Sequence, residues 1–86
     1  METGRFPNKL KYFRHCQGYS RKRIARRIGL ADASMISRWE KGQTLPTLIN
    51  TFQLAAMLQT TPQELYSLLW NKVVEDNNLL AEEPTN

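Results

Sequence analysis

Few residues in this chain of 86 have side chains suited to covalent chemistry. Its single histidine, His15, and its single cysteine, Cys16, are neighbours, half of a nucleophile–base pair by type. On a helix, adjacent side chains point about 100° apart and do not face each other. No orienting carboxylate and no oxyanion-hole loop accompanies them, so no catalytic residue is assigned, and Cys16 reads as a small core residue. One Cys and one His leave no internal disulfide and no Cys/His metal centre within one chain. No cofactor is implied.

The remaining chemistry is charge. Residues 1–44 carry eleven Lys/Arg against three acids, a balance of +8, whereas residues 45–86 carry one against five, a balance of −4. A half-chain this basic suits a polyanion, or else is a solvated charged face. The cations Arg21, Lys22, Arg23, Arg26 and Arg27 crowd one short segment, three of them where a helix would begin. There they oppose the helix dipole, a local repulsion that an external anion would relieve. Arg38 is the one long cation on an otherwise short polar face made of Ala33, Ser34 and Ser37, with Lys41 at its end.

Those residues have to be positioned by short helices. The length allows one domain with a single modest core, burying roughly 60–65% of the unfolded surface. Asn8 caps a first helix and Gly18 ends it; Leu10, Phe13 and Gln17 share a stripe with Arg14 beside them. Ser20 caps a second helix over 20–28, with Ile24, Ala25 and Ile28 inward. Gly29 ends it, and Asp32 caps a third helix over 33–41, with Met35, Ile36 and Trp39 inward and Gly42 as its stop. Thr47 caps a fourth, with Leu48, Phe52, Ala55 and Leu58 or Met57 inward. Thr61-Pro62-Gln63-Glu64 is a capping box opening a fifth, with Leu65, Leu68, Leu69 and Val73 on one stripe. Nothing alternates as a strand does. The expectation is an all-α compact five-helix bundle over 8–76, with a flexible arm at 1–7 and a disordered acidic tail at 77–86. No apolar run exceeds five residues, far short of a membrane span or signal-peptide core, so a cytoplasmic protein is expected.

Ser20-x-x-x-Ile24-Ala25-x-x-Ile28-Gly29, then Ile36-Ser37-Arg38-Trp39-Glu40-Lys41-Gly42, Pro46, and Leu58-x-Thr60-x-x-x-Glu64-Leu65 form one pattern. It resembles the phage repressor and Cro-type helix-turn-helix family, also called the xenobiotic-response-element family, across residues 9–69. Ala25 is small where two helices approach, Gly29 supplies the turn, and Ile36 and Trp39 lock the third helix to the core. The chain departs from the family twice. Arg21 stands where the family usually has a phosphate-touching Gln, and the turn after Gly29 is one residue longer than usual.

The resemblance implies a helix-turn-helix in helices two and three and a sequence-specific regulator of transcription, a repressor by expectation, bound to double-stranded DNA. The helix over 33–41 would lie in the major groove. Ala33, Ser34, Ser37 and Arg38 would face base edges, with Arg38 suited to guanine, or else to a phosphate. Ser20, Arg21, Lys41, Gln43, Thr44 and Thr47 would face phosphates, although Ser20 and Thr47 also serve as caps. By the same resemblance Glu40 pairs with Arg14 as a structural bridge. Trp39 falls in the core and not on a stacking platform. Trp70 lies off the apolar stripe. It either caps the monomer core or, with Leu69, Val73 and Val74, forms the contact of a homodimer on a palindrome. The alternative function is an antitoxin or adaptor that binds a protein partner through helix five and the acidic tail.

Overall fold

The computed structural model describes residues 4–77. The regular structure there is all helical: α1 Leu10–Gln17, α2 Arg21–Arg27, α3 Ser34–Glu40, α4 Leu48–Met57, α5 Pro62–Leu65 and α6 Ser67–Asn77. The helices start where local chemistry dictates. The Ser20 hydroxyl accepts from the Arg23 amide at 3.0 Å, that of Thr47 from Asn50 at 3.0 Å and that of Thr61 from Glu64 at 3.1 Å. Caps of this kind contribute about 1 kcal/mol each. Asn8 serves α1 from one residue further out, its side-chain oxygen accepting from the Leu10 amide. Gly18 ends α1 in the left-handed region at φ 74°.

One core joins these elements. Leu10, Ile24, Ala25, Ile36, Trp39, Leu54, Ala55, Leu58, Leu65 and Tyr66 are buried together. α6 buries none of its residues. Six helices are present rather than the expected five because the chain breaks at Tyr66, whose φ of −119° and ψ of 45° are not helical. The break rotates α6 relative to α5. Leu68 and Val73, expected on the Leu65 stripe, are therefore exposed, while Leu69 packs against the core.

Four other expectations are corrected. Leu48 and Phe52 point outward, 67% and 53% exposed, and Leu54 fills the core instead. α4 is apolar on both sides, so its own periodicity does not select a face and tertiary packing does. Cys16 is exposed, not a core residue. α3 begins at Ser34 and not Ala33, because Asp32 holds the Ser34 amide at 2.8 Å. Finally, residues 4–7 of the expected arm are fastened down. The Phe6 amide donates to the Gly42 carbonyl at 3.1 Å, and the Asn8 side-chain amide donates to the Trp39 carbonyl at 2.8 Å. Gly42, at φ 73°, lets the backbones meet; a Cβ there would lie 2.8 Å from the Phe6 carbonyl oxygen. Of the expected tail at 77–86, Asn77 closes α6 and the rest lies outside the described residues.

Tyr66 carries a buried hydroxyl with no hydrogen-bond partner, and burial pushes its pKa up to about 12. A raised pKa means that the neutral form is favoured on folding. The associated stability is complete below the ordinary value of 10.0 and is lost as pH rises toward about 12. Tyr66→Phe should remove that alkaline loss. It should also leave neutral-pH stability equal or higher, since an unsatisfied buried hydroxyl is deleted. Urea unfolding of both proteins across the alkaline range measures this, and identical pH profiles would refute it.

Candidate nucleic-acid interface

The site is built on α3, a helix of seven residues that needs external support. Ile36 and Trp39 anchor its inner side in the core. Its outer side is left with Ser34 and Arg38 exposed and with Ala33 and Ser37 half-buried. The Ser34 hydroxyl donates to Asp32 Oδ1 at 2.5 Å, so its proton is in use and its oxygen is left as an acceptor. The Ser34 hydroxyl and amide hold the Asp32 carboxyl below the usual range, with the charge of Arg38 a smaller contribution. Asp32, expected as a cap, also holds the Ser34 side chain on the outer face.

The last turn of α3 is held by charge. Glu40, 3% exposed at its side chain, places Oε2 at 2.5 Å from Arg14 Nε and Oε1 at 2.9 Å from Arg21 Nε. Arg14 also donates to the Tyr19 carbonyl at 3.0 Å. One carboxylate thus joins α1, α2 and α3. Arg21 was expected at a phosphate; its Nε is committed to Glu40 instead, and only the outer part of its guanidinium remains free. Spacing along the chain does not reveal this contact, because Arg21 and Glu40 are brought together only by the turn between α2 and α3.

The other expected contacts fall around this helix. Lys41, Gln43 and Thr44 are exposed in the connection from α3 to α4, ahead of Thr47 at the start of α4. The hydroxyls of Ser20 and Thr47 are occupied as caps, which leaves their helices' first amides to meet an anion. Among the remaining cations of α2, Lys22 and Arg26 face the turn toward Ala33. Arg23 and Arg27 line a cleft of about 450 Å³ between α2 and α4, with the Arg23 guanidinium 5.1 Å over the Tyr19 ring. At the far end of the chain, Leu69, Trp70 and Val73 line an apolar groove of about 280 Å³ with Pro62, Gln63 and Tyr66; Val74 is half-buried outside it. Among the described residues, no helix is long and apolar enough to cross a membrane.

A short helix with a small polar face, held rigidly by a second helix across a glycine turn at Gly29 (φ 82°), defines a helix-turn-helix domain of the kind that reads DNA. The helix-turn-helix family of Cro and phage-repressor type matches residues 10–65, more than half of the sequence, and the chain belongs to it. That family consists of DNA-binding regulators. No curated protein and no solved structure matches the chain significantly.

Proposed function

We propose that the protein is a sequence-specific regulator, acting as a repressor by occupying an operator and blocking polymerase. The observation that carries this reading is the outer face of α3. It is small, polar and tipped by Arg38, and it is fixed on a half-chain of charge +8 by Trp39 and Glu40. In this reading Ala33, Ser34, Ser37 and Arg38 meet base edges in the major groove. Ser20, Lys41, Gln43, Thr44, Thr47 and the free part of Arg21 meet phosphates and set the register. Arg14 and Glu40 keep α3 in place. One α3 reads few base pairs, so two copies pair through Leu69, Trp70, Val73 and Val74 on a palindrome.

Selection from a random duplex library at near-physiological salt, followed by sequencing, tests this reading. A palindrome with half-sites about 10 bp apart is the expected outcome. Salt-sensitive binding without enrichment would reduce the basic face to a nonspecific one. The α6 groove would then be the place to seek a protein partner, as in the antitoxin or adaptor reading.

A further inference from the structure

Residues 4–6 lie across the connection that follows α3. Gly42 is buried there between the exposed Lys41 and Gln43, and the arm covers it. A Cβ on Gly4 would collide with the Gly42 carbonyl, so the two backbones touch. Asn8 is the fastener. Its side-chain amide donates to the Phe6 carbonyl at 2.9 Å and to the Trp39 carbonyl at 2.8 Å, while its oxygen accepts from the Leu10 amide at 3.0 Å. One side chain thus ties the arm to α1 and to the end of α3. Phe6 packs against the core, whereas its neighbour Arg5 is exposed. The Arg5 guanidinium lies 5.2 Å over the Phe6 ring, which supports its face and leaves its N–H edge for an acceptor. Among the described residues the ion pairs are Arg14–Glu40, Arg21–Glu40 and Lys72–Asp76, so no carboxylate there engages Arg5.

We propose that Arg5 is a further DNA contact, a phosphate ligand carried on the clasped arm; this rests on the DNA-binding reading of α3. The base-facing residues of that reading lie within α3 or just before it, whereas Gly42 lies beyond the helix end, at the rim where the phosphates run. Lys41 and Gln43 adjoin Gly42 in sequence, and Arg5 adjoins it by contact across the fold. The carboxyl end of a helix carries partial negative charge, which repels a phosphate. The arm offsets that repulsion here. Asn8 engages the Trp39 carbonyl, the Phe6 amide engages the Gly42 carbonyl, and Arg5 adds a second cation to that of Lys41. A loose arm would lose conformational freedom on binding, but the clasp has already taken that loss in folding.

Affinity over a range of salt tests it, measured on the enriched duplex and on an unrelated duplex of equal length, with far-UV circular dichroism as the folding control. Arg5→Ala should weaken both duplexes alike, by about fivefold near physiological salt, and lower the salt slope by about 1, as one fewer released counterion requires. Arg5→Lys should keep the slope, because a phosphate accepts either cation. A purely structural role for Arg5 would leave the slope unmoved. If Arg5→Ala binds both duplexes with the wild-type affinity and slope, the contact is overturned while the reading of α3 stands. A loss confined to particular base pairs of the enriched duplex overturns the phosphate assignment and puts Arg5 on a base edge. A wild type with no salt-dependent affinity for either duplex overturns the DNA-binding reading, and the inference with it.

Discussion

Replacing Glu40 by alanine is expected to lower the unfolding free energy by about 3–5 kcal/mol, because the buried guanidinium of Arg14 loses its counter-charge. Domains of this class have total stabilities of about 5–15 kcal/mol, so the variant should lie close to unfolding at physiological temperature. The partners should respond unequally. Arg14→Ala leaves Glu40 one cation, Arg21, and should be less damaging than Glu40→Ala. Arg21 has a side chain that is 39% exposed, and solvent screens its half of the bridge, so Arg21→Ala should be the mildest of the three. Urea midpoints at unchanged slope give all three values. If Arg21→Ala proves as destabilising as Glu40→Ala, the carboxylate is not anchored through α1 as the geometry implies.

Arg38→Ala is expected to reduce discrimination at one base pair by about 1–3 kcal/mol, a loss of roughly five- to 150-fold in selectivity there. Lys41→Ala should weaken all sequences alike and reduce the salt slope by about 1. The two effects separate in competition titrations of the enriched site against its single-base variants, repeated over a range of salt. The contrast follows from position. Arg38 lies within α3 on the face away from Ile36 and Trp39, whereas Lys41 lies just past the helix end. An equal loss on every sequence for Arg38→Ala would place its guanidinium on a phosphate.

Much of this architecture is written locally in the chain. Ser20, Thr47 and Thr61 announce helix starts, and Gly18, Gly29 and Gly42 announce stops, because each acts on backbone groups only two to five residues away. The spacing of Ile36 and Trp39 fixes which side of α3 is free, so the shape of the candidate interface is legible before any coordinates. What the sequence conceals depends on packing at a distance. α4 has apolar residues on both sides, and only the space left by α1, α2 and α5 decides that Leu54 and Leu58 go inside while Leu48 and Phe52 stay out. The break at Tyr66 carries no glycine or proline signal. It arises where a tyrosine ring enters the core and turns the following helix away. The diversion of Arg21 to Glu40 is of the same kind, since an arginine at a helix start looks equally suited to a phosphate.

The fastening of the first residues also bears on how the chain comes to be folded as it is made. The Lys9 amide finds its acceptor in the Leu65 carbonyl at 2.8 Å, and the end of α3 finds Asn8 across 31 positions of sequence. The contact of Lys9 cannot form until Leu65 has left the ribosome, and closing such distant pairs is slow beside the winding of single helices. A nascent chain halted before Leu65 holds α2 and α3 without that clasp at the beginning of α1. The first turn of α1 thus gains its last backbone partner only after the helices that carry the candidate interface have been made.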